Sequence, residues 1–249
     1  MNKLLNAIFP FRDFLYILQL EEYSSERFIK WLPKFFFRRN IERRQSLVFT
    51  KRVKRTLALA VCIYLLSITL VITIVEDLKT ILLLILLTNV FIPIYVFLSN
   101  LLLQPFFEKL KAVIRSRSKN LIKNLKELKV IVIAGSYGKT TIKNFIFQLL
   151  KYSHEIQMIS GNINTPTGIA NWIINNLRKN TKILVAEVDA YQIGEIKQSC
   201  SILSPDYCII TNIGDQHLER FKNESNLAKA LFEAFENSKK DAFLLTDKE

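Results

Sequence analysis

Cysteine and histidine are scarce in this chain. Its 249 residues include three cysteines, Cys62, Cys200 and Cys208, with no CxxC pair and no even-numbered set. That excludes a disulfide-stapled scaffold and reads as reduced thiols in the core or membrane part of a cytosol-facing protein. His154 and His217 are the only histidines, which excludes a multi-histidine metal site. Acids are short too: 22 Asp and Glu stand against 35 Lys and Arg, a formal net charge of +13. The N-terminal stretch does not read as a secretory signal, because no short apolar core there ends in small residues.

Half of the residues are apolar, and the length suits one large or two small domains. A soluble domain this basic would point to nucleic acid. Here charge and apolar residues segregate along the chain. Residues 1–55 open with an aromatic-rich stretch in which Phe14, Leu15 and Leu18 recur at helical spacing among charges. An amphipathic helix in the membrane interface is expected, followed by a basic segment from Arg38 to Arg55. Residues 56–75 then carry no charge, Glu76, Asp77 and Lys79 interrupt, and residues 81–103 are again uncharged. Each run is long enough to cross a bilayer, so residues 56–107 are expected to form a transmembrane helical hairpin, its second helix kinked at Pro93. Basic residues flank both outer ends, while the connecting loop has one Lys and two acids. The positive-inside rule puts both termini in the cytoplasm and makes the chain a multi-pass protein of the cytoplasmic membrane. Residues 108–129, with Lys109, Lys111, Arg115, Arg117 and four further lysines, read as a basic juxtamembrane helix or linker on anionic inner-leaflet lipids. The membrane accounts for the charge, and nucleic acid is not needed.

From residue 130 to 249 the pattern changes. A β-branched run, Val130 to Ile133, stops at Gly135, and a helical pattern begins near Lys139. Between them lie Gly135, Ser136, Tyr137, Gly138, Lys139, Thr140 and Thr141. Strand, glycine loop and helix in that order make a phosphate cradle: backbone N–H groups and the helix N-terminus face one anion. Lys139 would reach the β/γ-phosphates and Thr140 would hold Mg²⁺. Further strands are expected near 157–159, 182–188, 207–213 and 242–246, separated by helices near 169–177, 194–202 and 224–235. Single helices between strands imply an α/β fold: a doubly wound, mainly parallel sheet with helices on both faces and its ligand at the carboxyl ends of the strands. Glu187 and Asp189 end one strand; Asn212 and His217 follow another.

The segments AGSYGKTT, GNINTPTGIA, AEVDAYQIGEI and SPDYCIITNIGDQHLERF occur in the order and at the spacing of the Mur ligase central domain. The chain from Val130 onward resembles that family, most closely the branch that adds D-alanyl-D-alanine to the peptidoglycan precursor. The resemblance implies a P-loop fold with ATP and Mg²⁺. It implies an ATP-dependent carboxylate–amine ligase, joining a peptidoglycan-precursor carboxylate to the amine of an amino acid or dipeptide through an acyl phosphate. By motif position it assigns Lys139, Glu187 and His217 to catalysis. Gly135 to Thr141 and Asn212 would bind the nucleotide, Thr140, Glu187 and His217 the metal, and Asn162, Asn164 and Asp189 the acyl substrate.

The sequence departs from the family in four ways. Leu231 stands where most members have a carbamylated lysine, with Lys229 two residues away. Asp189 stands where the D-alanyl-D-alanine branch usually has Gly. The hairpin replaces the family's N-terminal uridine-nucleotide domain. The sequence stops at Glu249, so the remainder of the family's ligase is expected to be missing and the isolated chain not to complete a turnover. Two alternatives accompany the ligase reading. One is a Mur-like ligase of another substrate, as in folate polyglutamylation or amidation of a lipid-linked wall intermediate. The other is a non-catalytic ATP-binding membrane scaffold, which Leu231 favours.

Overall fold

Two units divide the chain, Met1–Glu108 and Lys109–Glu249. The computed structural model describes residues 10–37, 46–161, 163–190, 192–214, 221 and 223–245.

The first unit is helical. Helix α1 (Phe11–Leu20) and α2 (Ser25–Phe37) precede α3 (Lys51–Ile74), α4 (Leu78–Val90) and α5 (Ile92–Asn124), and the division between units falls within α5. Thr50 caps α3 by accepting a hydrogen bond from Val53 N, and Asp77 caps α4 through Thr80 N. Helix α3 is long and apolar enough to cross a membrane; α4 and the start of α5 make a second such span only if the bent pair counts as one. The bend is 57° at Phe91. Pro93 is its cause: it lacks an N–H, and its ring clashes with the carbonyl four residues back, at Asn89. Leu66, Leu70 and Ile74 on α3 and Leu82, Leu83 and Leu86 on α4 are all exposed.

Sequence reading lays the first stretch in a membrane interface. Within the unit, protein covers the apolar face of α1. Phe14, Leu15, Ile17 and Leu18 are buried in one cluster with Phe28, Val53, Ala60, Tyr64, Ile92 and Val96. Tyr64 meets Phe11 and Tyr95 edge to face at 5.7 and 5.8 Å, and its hydroxyl donates to Asn89 Oδ1. Arg52 stacks over the rings of Tyr23 and Phe107, 3.8 and 4.7 Å from their centroids, and donates to Asn100 Oδ1.

In the second unit strands alternate with helices: β1 (Lys129–Ala134), α6 (Lys139–Leu150), β2 (Ile156–Met158), α7 (Pro166–Asn176), β3 (Ile183–Glu187), α8 (Glu195–Leu203), β4 (Tyr207–Ile210), α9 (Glu224–Glu236) and β5 (Ala242–Leu244). All pairings are parallel, in the order β2-β3-β1-β4-β5. Ile133 lies opposite Glu187 on one side and Ile209 on the other. The carboxyl ends of β1, β3 and β4 therefore finish at one edge of the sheet. The core comprises Val130, Val132, Leu184, Ala186, Cys208 and Ile210 from the strands, with Ile169, Ile173, Ile196 and Leu231 from the helices. The basic stretch 108–129 is helical up to Asn124; Ile114, Ile122 and Leu125 pack on this core, while Leu110, Val113 and Leu121 stay exposed.

The sequence pattern carries the fourth strand to Ile213, but β4 ends at Ile210. Residues 211–214 leave the ladder because their polar groups are used to hold the loop after β1.

Candidate active site

Gly135 follows β1 with φ +134°, and a Cβ built on it would lie 2.2 Å from Thr211 Oγ1. Only glycine lets the loop pass so close to the end of β4. Thr211 then donates to the Tyr137 carbonyl, and Asn212 accepts from Ser136 N through its backbone oxygen, at 3.0 Å, and from Tyr137 N through Oδ1, at 2.8 Å. The Ser136 hydroxyl accepts from Gly214 N and donates to Gly214 O. The loop's shape is thus set from the strand beside it. Asn212 braces the loop in this way, which accounts for an asparagine at the end of β4 independently of any contact with phosphate.

Gly138, at φ +79°, is the N-cap of α6 and offers no side chain to cap the first turn. Helix N-terminal N–H groups left without a cap suit an anion. Lys139 opens that helix and is 6% exposed. Its Nζ donates to Gly135 O at 2.6 Å and Ser136 O at 3.3 Å, and lies 3.5 Å from Asp189 Oδ2. An ammonium group held at the centre of a glycine loop suits a polyphosphate. Thr140 and Thr141 follow it, both exposed.

Glu187, the last residue of β3, is 5% exposed. Thr140 Oγ1 donates to its Oε2 at 2.9 Å, and Lys143 Nζ lies 3.2 Å from the same oxygen. The hydroxyl and carboxylate are hard oxygen donors placed side by side. They fit Mg²⁺, which takes one or two protein oxygens and completes its shell with phosphates and water. Among the described residues no cluster of three or more His, Cys, Asp or Glu side chains forms. His217 and Asn162 lie outside the described residues.

Asp189 is near-buried; its Oδ1 accepts from Ala190 N at 2.9 Å, and its N donates to Asn164 O at 3.2 Å. The backbone of the 161–168 loop is thereby brought to the end of β3. Thr165 caps α7 by accepting from Gly168 N. Leu231 of α9 is 2% exposed and lines a gap with Gly135, Ser136 and Asp189. Lys229 is exposed. Two residues apart on a helix is about 200° of rotation, so the two side chains leave on different faces.

Sequence reasoning missed Lys143. It is 1% exposed and donates to Gly161 O at 3.0 Å besides pairing with Glu187. Its one signal was its place one turn after Lys139 on the face that carries Lys139 and Thr140. Glu233 was missed as well: from α9 it accepts from Gly194 N at 2.7 Å and Lys197 N at 2.9 Å, and so caps α8.

Residues 133–249 match the Mur ligase middle domain. The UDP-N-acetylmuramoyl-tripeptide–D-alanyl-D-alanine ligase of Bacillus subtilis is 32% identical over 117 residues, 47% of this chain and 25% of that protein. The ligase of the same description from Borreliella burgdorferi is 34% identical over 111 residues, 45% of this chain and 22% of that one. Among solved structures, MurF from Thermotoga maritima in complex with ADP aligns with a TM-score of 0.51 at 30% identity, over 54% of this chain and 31% of that one. A crystal structure of MurF from Acinetobacter baumannii gives a TM-score of 0.52 at 27% identity, over 54% and 30%. The chain spans about a quarter of the length of these curated relatives.

Proposed function

We propose, from the match of residues 133–249 to the Mur ligase middle domain, that this chain serves ATP-dependent amide-bond formation on a peptidoglycan precursor, with D-alanyl-D-alanine as the incoming amine. The observation that carries the reading is the meeting of Lys139, Thr140 and Glu187 at the carboxyl ends of β1 and β3.

The glycine loop and the N-terminus of α6 seat the polyphosphate, and Lys139 offsets the charge that builds on the γ-phosphoryl group as it leaves. Thr140 and Glu187 would hold Mg²⁺, with His217 as a further ligand by motif position; the ion would supply neutralisation of the phosphate charge. The γ-phosphoryl group passes to a carboxylate oxygen of the precursor, giving ADP and an acyl phosphate. The amine then forms the C–N bond, the C–O bond to phosphate breaks, and the amine gives up its proton. By motif position Asn162, Asn164 and Asp189 would serve the acyl substrate. The task of the chain is charge handling and in-line positioning.

We infer further that a transmembrane hairpin holds this site at the inner face of a membrane. Three features support that placement: the span-length apolar helix α3, the bent pair α4 and α5, and the exposed leucines along α3 and α4. Anionic inner-leaflet lipids would meet the basic segments on either side. A membrane-held ligase suits a wall precursor that is, or becomes, lipid-linked.

Leu231 favours a second reading, an ATP-binding membrane scaffold without ligation. A buried leucine faces the phosphate loop where the family usually places an ionised side chain. Since the isolated chain is not expected to complete a turnover, the protein purified in detergent from its native membrane, with any domain or partner that completes the ligase, separates the two. With ATP, Mg²⁺, the UDP-linked tripeptide and D-alanyl-D-alanine, the ligase reading expects phosphate release that requires both acyl and amine substrates. Tight ATP binding with no such release would support the scaffold and contradict the ligase.

A further inference from the structure

We infer that Lys143 is a positioning residue whose single ammonium group fixes the Glu187 carboxylate and the turn at Gly161 relative to each other. The inference rests on the reading of Glu187 as the metal-side carboxylate and of the 161–168 loop as the acyl-substrate side.

Lys143 projects from the middle of α6 into the protein, and at 1% exposure it is more deeply buried than Lys139. Burying an ammonium group is costly unless it is paired and hydrogen-bonded. A helix–sheet contact that needed only packing would be served by Leu or Met. The Lys143 Nζ is instead used twice: it donates to Gly161 O at 3.0 Å and lies 3.2 Å from Glu187 Oε2. Thr140, one helical turn earlier, puts its hydroxyl on the same Oε2 at 2.9 Å. Glu187 Oε2 is therefore held from two points of one helix, and Oε1 takes part in neither contact. The Gly161 carbonyl, at the entrance to the loop that also reaches Asp189 through Asn164 O, is fixed to the same ammonium group. One side chain thus ties the helix that opens at the phosphate loop to the acyl-side loop. Groups that orient a metal's ligands act this way, and their removal typically lowers metal affinity about 10- to 100-fold.

The test uses the full chain in detergent as wild type, Lys143→Met and Lys143→Arg, with a non-hydrolysable ATP analogue as probe. The first readout is the ratio of analogue Kd in EDTA to Kd in Mg²⁺. Lys143→Met is expected to lower that ratio about tenfold or more. Lys143→Arg, which keeps a cation with donors, is expected to restore part of it. The second readout is amide hydrogen exchange over residues 159–165 without ligand, expected to quicken in Lys143→Met and less in Lys143→Arg. A wild-type ratio together with wild-type exchange in Lys143→Met would overturn the inference. So would a gain in Mg²⁺ dependence, which would make Lys143 a charge that repels the ion. If Lys143→Met does not fold, Lys143→Gln replaces it under the same expectations. A wild-type chain that binds no analogue would sink the phosphate-loop reading; the exchange readout would still decide whether Lys143 holds the Gly161 turn.

Discussion

Gly135 passes close to Thr211, just after β4, and leaves no room for a methyl group. The 2.2 Å that would separate an added Cβ from Thr211 Oγ1 and the positive φ act together. Gly135→Ala is expected to destabilise the α/β unit by about 1–3 kcal/mol, read as a lower midpoint in thermal or urea unfolding. An unchanged midpoint would mean that Thr211 moves aside freely. At this scale the sequence was partly legible. Gly135, Gly138, Lys139 and Thr140 declared themselves because a strand–glycine–helix order has few other uses. Lys143 did not, since a lysine on a helix normally lies on a solvated face; only the fold shows that this face is turned inward. Asn212 was legible as a strand-end residue, but its hold on Tyr137 N depends on the register of β1 with β4.

Helix α8 and strand β4 each place a thiol in the core of the α/β unit. Cys200 and Cys208 are buried, and burial pushes both thiols up to about 12, with their proximity to each other adding to the shift at Cys200. An unfolded thiol ionises near about 8.5. Both groups therefore keep their protons in the fold over a range where the unfolded chain loses them. Their contribution to stability is fully present below about pH 8.5 and is lost as the pH rises toward 12. The unfolding midpoint of the unit should fall steadily above about pH 9, and a thiol reagent should leave Cys200 and Cys208 unlabelled until unfolding. Rapid labelling of either in the native chain would contradict this packing. Element types and the parallel sheet followed from hydrophobic periodicity. What periodicity could not supply was the end of β4, because the β-branched Thr211 and Ile213 continue the strand pattern while the polar groups of Thr211 and Asn212 turn to the loop. Nor could it place the bend at Phe91: the residue that causes it, Pro93, lies two positions further on.

At the scale of the whole molecule, a helical unit with exposed apolar helices and an α/β unit with a candidate phosphate loop share one chain. The segregation of charge was visible in the sequence because two uncharged runs stand between basic flanks. The packing of α1 was not, since an aromatic amphipathic pattern reads the same whether lipid or protein covers it. The proposed topology predicts that a reporter inserted between Val75 and Ile81 is exposed outside the cell, and that one joined after the α/β unit is cytoplasmic. A cytoplasmic signal from the inserted reporter would refute the hairpin.

The central claim is that the loop from Gly135 to Thr141 holds ATP with Mg²⁺. Nucleotide binding by calorimetry, comparing the wild-type chain in detergent with Lys139→Ala, tests it most directly. The account predicts Mg²⁺-dependent ATP binding that Lys139→Ala weakens at least about tenfold, the loss of a charge-assisted contact to phosphate. Equal affinity in the two proteins would contradict it.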